Sequence, residues 1–239
     1  MTVRAVIFDW GGTLTPYHQL DYVEVWRQVA RTLDPARADD LTAALLGAEE
    51  ELWRRAREEQ RSGHMAEVCA AAGIPLDDAY RSAFFQAWEA HTYTDPDADA
   101  LLRELRARDI VVGLLSNTTW PRDWLDGVLA RDGVLGHFDA TVYSCELDCV
   151  KPHPEAFRHA MERVGVQTPA SAVYVGDRAY DDVYGAQRAG MRTVLVPHSD
   201  IPAAERWGEP AEPDATVQCL ADLLPLVDEW RAAGKSTKF

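Results

Sequence analysis

Residues 6–15 read VIFDWGGTLT. A short apolar run ends in Asp9, and a glycine pair and a threonine follow at once. Such a run fits a strand buried on both faces, with its polar residues at the carboxyl end. The pattern recurs over 110–115, 140–143, 172–175 and 193–196, each bounded by Gly, Asp or Asn. Between these runs, 99–108, 121–130, 154–164 and 181–189 have helical character, and Gly190 gives the last a stop signal. A weak strand at 215–217 precedes a helix over 220–230, and the tail after it, GKSTKF, is expected to fray. Alternating strands and helices predict an α/β fold, a doubly wound parallel sheet of Rossmann-like form with helices on both faces.

One stretch interrupts the alternation. Between residues 17 and 92 there is no strand pattern and several helical ones, over 22–33, 41–61, 65–72 and 77–89. Trp26, Trp53 and Trp88 are the expected centre of a small helical core. Glu49–Glu51 with Arg54, Arg55 and Arg57 are expected to form a solvated charged face. The division expected is a core of residues 1–16 and 93–239 and an inserted helical module of residues 17–92.

Composition narrows the function classes. The chain has 239 residues, 47% of them hydrophobic and 26% charged, enough to bury a substantial core. A net charge of -15 argues against nucleic acid and against an anionic membrane surface as partners. It leaves a phosphorylated small molecule open, because a bound cation reverses the field within one cleft. No segment has the length and apolarity of a membrane span, and no secretion signal is legible, so a cytoplasmic location is expected. The four cysteines then read as reduced, and the Asn117-Thr-Thr sequon as accidental.

In a parallel sheet, ligands sit beyond the carboxyl ends of the strands. Four polar clusters fall there: Asp9; Ser116-Asn117; Lys151-Pro152; and Gly176-Asp177, with Asp181 and Asp182 close behind. Together they supply carboxylate, hydroxyl and ammonium groups to one place.

The segments FDWGGTL (8–14), LLSNT (114–118), VKPHPEAF (150–157) and VGDRAYDDVYGAQRAGM (175–191), in that order, resemble the haloacid dehalogenase superfamily of hydrolases. The resemblance covers nearly the whole chain, and the helical insert is similar to the small cap of one subgroup. It implies an active site between core and cap, with Asp9 as the nucleophile that forms an aspartyl-phosphate. It implies Mg²⁺ held by Asp9, Asp177 and the backbone carbonyl of Gly11. Thr13, Ser116 and Asn117 would bind phosphate, Lys151 would neutralise the transferring group, and Asp182, with Asp181 as competitor, would support Lys151 or a metal-bound water.

The sequence departs from the phosphatase pattern at Gly11, where a second aspartate is expected as general acid and base. Loss of such a group typically costs ~10²–10⁴-fold. Other branches of the superfamily lack it too. DWGGT is similar to the DWAGT of the phosphonoacetaldehyde hydrolases, but their Schiff base needs a cap lysine and residues 17–92 contain none. The haloacid dehalogenases carry a tyrosine there and use no metal. The expectation is a Mg²⁺-dependent phosphohydrolase of a small metabolite with an unusual acid/base. The alternatives are a weakly catalytic phospho-ligand or partner-binding protein, and a C–X bond hydrolase. His18, His64 and His91 are the histidines of the insert, and Trp120 and Trp124 flank the expected pocket.

Overall fold

The computed structural model of the chain describes residues 2–196, 207–208 and 211–236. Six parallel strands form one sheet: β1 Ala5–Phe8, β2 Val111–Ser116, β3 Ala140–Tyr143, β4 Ala172–Gly176, β5 Arg192–Leu195 and β6 Ala215–Thr216. The order is β3-β2-β1-β4-β5-β6. β1 is central and fully buried, as its uninterrupted apolar run requires. Between β1 and β4 the winding of the sheet changes direction, and the crevice at such a point is where α/β proteins bind ligands.

Strand alternation divides the core in two. Val6 and Phe8 face one side with Val112, Leu114, Val173, Val175 and Val194. There they pack against α5 (Ala98–Ala107), α6 (Arg122–Arg131) and α9 (Leu223–Ser236). Ala5, Ile7, Leu115 and Tyr174 face the other side, against α7 (Pro154–Arg163) and α8 (Gly185–Arg188). The helix expected over 181–189 is shorter: Ala179–Tyr184 is a π-helical turn, and only Gly185–Arg188 is α-helical. Such wide turns occur often at functional sites, and this one carries Asp181 and Asp182. Helix α9 reaches Ser236, and the last three residues of the expected frayed tail lie outside the described residues.

The segment between β1 and α5 is helical: α1 Tyr22–Leu33, α2 Ala38–Glu59, α3 Met65–Ala71 and α4 Asp78–Trp88. Helix α1 starts where Asp21 accepts from Glu24 N, and α4 where Asp77 accepts from Tyr80 N. These helices share their own apolar core around Trp26, Leu45, Tyr80 and Phe84, with Trp88 packed against it. Trp53 is only half-buried and lies outside that core. Glu49 leaves the expected solvated face: its carboxylate accepts from Trp26 Nε1 at 2.7 Å, and burial raises its pKa. Arg54 stays on the surface between Glu51 and Glu58.

The helical layer is tied to the sheet at two places. Trp124 of α6 belongs to the same apolar cluster as Phe84. The backbone between α2 and α3 also bonds to the loops at the strand ends, Met65 N to Thr119 O at 2.7 Å and Val150 N to Gln60 O at 3.1 Å. Among the described residues no helix is long and apolar enough to cross a membrane.

Candidate active site

Asp9 begins where β1 stops. Its N–H donates to Val175 O at 2.9 Å, a last bond that holds it to β4. The chain then turns around one atom: Trp10 O accepts from the N–H groups of Thr13, Leu14 and Thr15 at 3.2, 2.9 and 3.0 Å. This knot buries Thr13 and leaves Gly11 exposed. Gly12 sits at φ +83°, and a Cβ there would lie 2.3 Å from Asp177 Oδ2. Only glycine allows the nucleophile loop to approach Asp177 this closely.

Lys151 is the hub. Its ammonium donates to Asp9 Oδ1 at 2.6 Å, Asp182 Oδ1 at 2.7 Å and the Tyr174 hydroxyl at 2.9 Å. These three bonds use all three protons. Burial opposes the charge of Lys151, but Asp182 and Asp9 outweigh it and hold the pKa well above its ordinary value. The backbone of Lys151 is fixed by Asn117, whose Nδ2 donates to Lys151 O at 3.0 Å and whose Oδ1 accepts from Lys151 N at 2.8 Å. Asn117 therefore positions Lys151, using both ends of its amide. Tyr174 in turn donates to Leu115 O at 2.9 Å.

The carboxylates are crowded. Asp9, Asp177 and Asp182 offer oxygens within 4.8 Å of one another, and all three are buried. Burial lifts the Asp9 pKa to about 6 despite Lys151. It lifts that of Asp177 well above the ordinary range, with Asp182 and Asp9 adding to the effect. Both Asp177 oxygens are buried without a hydrogen bond, and Arg178 Nε is 3.5 Å away. Asp182 has partners at both oxygens, Lys151 Nζ and Arg178 N. Unbonded buried carboxylate oxygens beside a second carboxylate fit a hard cation, and an all-oxygen set fits Mg²⁺ better than softer metals. Asp181 lies apart from the hub: Trp207 Nε1 donates to it at 3.2 Å, and burial raises its pKa to about 7.

The structure thus brings Asp9, Thr13, Ser116, Asn117, Lys151, Asp177 and Asp182 to the ends of β1, β2 and β4 and the loop after β3, all but Asn117 buried. Tyr174 is a member that sequence reasoning missed. Its signal was a lone phenol inside the run AVYVG.

A cavity of about 200 Å³ opens over the nucleophile loop. Trp10, Gly11 and Gly12 form one wall, Trp120 another, and His18, Tyr22, Trp88 and His91 close it from the helical layer. The rings of His18 and His91 are 5.3 Å apart. His64 is elsewhere, capping α3.

The profile of the haloacid dehalogenase-like hydrolases matches residues 3–190. The chain belongs to this family. It is a hydrolase of the haloacid dehalogenase type, as the order and spacing of its site residues imply. It is 30% identical over 237 residues to a glyceraldehyde 3-phosphate phosphatase of Methanopyrus kandleri, covering 95% of this chain and 98% of that one. It is 36% identical to a phosphoserine phosphatase of Thermus thermophilus over 51% of this chain and 44% of that one. The 2-haloacid dehalogenase of Pseudomonas syringae has the same fold, with a TM-score of 0.68 at 22% identity over 96% of this chain and all of that one. The likeness to that dehalogenase concerns architecture alone. In this chain Ala179–Tyr184 forms a wide turn and Gly11 opens onto free space.

Proposed function

We propose that the protein is a Mg²⁺-dependent phosphohydrolase of a small phosphorylated molecule, working through an aspartyl-phosphate on Asp9. The observation that carries this reading is the pair of bare, buried Asp177 oxygens beside Asp9, with Lys151 bridging Asp9 and Asp182. Asp9, Asp177 and the Gly11 carbonyl would hold the ion, which supplies charge neutralisation for two approaching anions. The phosphatases named above, one matched along nearly its full length, support phosphate as the group transferred.

The residues divide the work. Asp9 attacks phosphorus with its free oxygen, while Lys151 holds the other oxygen and offers positive charge to the phosphoryl group. Thr13 and Ser116, both buried, would donate to phosphate oxygens. Residues 17–92 act as the cap that closes over the substrate. Water then attacks the phosphorus of the aspartyl-phosphate, and we assign its base to the His18–His91 pair, which shares a cavity with Gly11. The site operates in a reducing compartment, the cytoplasm, in keeping with four free cysteines.

The test is phosphate release from acetyl phosphate with and without Mg²⁺, in the wild type and in Asp9→Asn. Turnover that needs Mg²⁺ and vanishes in the variant is expected, with phosphate trapped on Asp9 by mass spectrometry. Turnover that survives in Asp9→Asn would refute the assignment.

A further inference from the structure

The walls of the cavity over Gly11 have an unusual chemistry for a chain of net charge -15. None of its described lining residues is Asp or Glu, whereas Arg178, His18 and His91 all contribute. The rest includes aromatic rings that touch in series. Tyr22 lies 6.1 Å from Trp88, Trp88 lies 6.0 Å from Trp120, and Trp120 lies 5.5 Å from Trp10, centroid to centroid. Trp10 is the residue next to the nucleophile, and Tyr22 and Trp88 belong to the helical layer, so the series spans both sides of the cleft. The indole N–H groups of Trp10 and Trp88 are buried and have no acceptor. Buried donors normally find a partner, and a polar atom of a ligand in this cavity would supply one.

The second constraint is chemical. Position 11 carries no acid, although there is room for one, since a Cβ on Gly11 would meet nothing within 4 Å. A phosphate ester of an aliphatic alcohol loses an alkoxide, which departs poorly without a proton. A phenol-type ester loses a phenolate, which does not need one. Phenols titrate near pH 10, far below aliphatic alcohols.

Resting on the phosphohydrolase reading, we propose that the substrate is a phosphate monoester of a flat aromatic hydroxyl compound, its ring held between Trp10, Trp88 and Trp120. In the first step Asp9 Oδ bonds to phosphorus, and the P–O bond to the aryl oxygen breaks. Its electron pair leaves on the phenolate, and no proton moves. In the second step water oxygen bonds to phosphorus and the Asp9–phosphorus bond breaks. The carboxylate is restored, and one water proton passes to the base. The anionic ester meets a lining that holds the Arg178 guanidinium and, among the described residues, no carboxylate. Aromatic faces give the ring a preferred place through stacking and edge contacts.

The experiment compares kcat/KM for phenyl phosphate, a set of ring-substituted phenyl phosphates, glycerol phosphate and acetyl phosphate, all with Mg²⁺. The variants are Trp88→Leu and Tyr22→Leu; Tyr22 is 40% exposed, so its loss leaves the fold intact. We expect phenyl phosphate to exceed glycerol phosphate by at least about 10²-fold, in line with the usual worth of a general acid. Rates should climb as the phenol becomes more acidic. In Trp88→Leu the ratio of phenyl to acetyl phosphate should fall about tenfold, for a lost aromatic contact of ~1.4 kcal/mol. In Tyr22→Leu, which removes the ring packed on Trp88, it should fall in the same direction. If glycerol phosphate matches phenyl phosphate, or the variants leave the ratio unchanged, the aromatic assignment is wrong while the phosphohydrolase stands. No release from any substrate, acetyl phosphate included, with no phosphate on Asp9, would overturn both.

Discussion

Gly12 and Asp177 approach so closely that a Cβ on the glycine would lie 2.3 Å from the carboxylate. The loop after β1 and the end of β4 therefore meet with no room for a side chain. Gly12→Ala must push Asp177 away or open the loop, and φ +83° adds strain to the alanine. The expected result is a folded protein whose Mg²⁺ affinity, read by isothermal titration calorimetry, falls at least about tenfold, the lower end for disturbing a ligand's setting. An unchanged affinity would show that Asp177 does not hold the ion.

Gly11→Asp should behave in the opposite way, because that position opens onto free space. A carboxyl group there is predicted to raise kcat for glycerol phosphate by about 10²-fold or more. The dependence of phenyl phosphate hydrolysis on phenol acidity should flatten. A loss of activity on every substrate would mean the loop requires glycine at both positions.

Lys151→Met removes the cation bonded to both Asp9 and Asp182. Two buried carboxylates are left facing each other, so stability in urea should fall by about 3–5 kcal/mol without metal. Turnover should fall by about 10²–10³-fold, comparable to losing one donor to transition-state charge. Asn117→Ala is the gentler version. It releases the backbone of Lys151 but keeps the ammonium, so kcat should drop while Mg²⁺ affinity stays within about twofold, as expected for a residue that only positions.

The pH dependence follows from burial. Burial raises the Asp9 pKa from 3.8 to about 6, so in the metal-free protein its neutral form persists to higher pH than it would in an unfolded chain. A raised carboxyl pKa gives stability that is fully present below the unfolded value and is lost as pH rises through the folded value. Metal-free stability is therefore expected to decline between pH 4 and pH 7, and Asp181, raised to about 7, contributes in the same sense. On the proposed reading Mg²⁺ displaces the proton from Asp9 and Asp177, so its stabilising effect should grow over that range. Thermal melts at pH 5 and pH 7.5, with and without Mg²⁺, measure this directly. An equal increment at both pH values would contradict it.

His91 supplies the last prediction. Burial, and then the neighbouring His18, lower its pKa from the ordinary 6.5, which favours the neutral, basic imidazole. His91→Gln should slow dephosphorylation, and phosphate on Asp9 should accumulate in rapid-quench experiments. The acid limb of the wild-type profile should fall below pH 6.5, the ordinary histidine value. Equal rates of phosphorylation and dephosphorylation in the variant would clear His91 of this role.

Much of the molecule was legible in advance, for identifiable reasons. The runs at β1 and β4 are buried on both faces and almost wholly apolar, so composition marks them. Asp9, Ser116 and Asp177 were readable because each stands at or just beyond the end of such a run. The turn at Ala179–Tyr184 was not, because Asp182 within it bonds to Lys151 from another part of the chain, a contact that local pattern does not encode. Trp53 and Glu49 were misplaced for a similar reason. Helical spacing gives the face of a residue, but not whether a neighbouring helix covers it.

The sequence by itself determined the alternation of strands and helices, the order of the site residues and the vacancy at Gly11, since these are properties of local pattern. Only the tertiary structure decided that Asn117 serves Lys151, that Asp182 and not Asp181 completes the hub, and that Tyr174 joins it. It alone brought Trp10, Trp88 and Trp120 around one cavity. Those relations join residues far apart in the chain through packing of whole elements. Short-range propensity carries no information about which distant side chains will share a buried space.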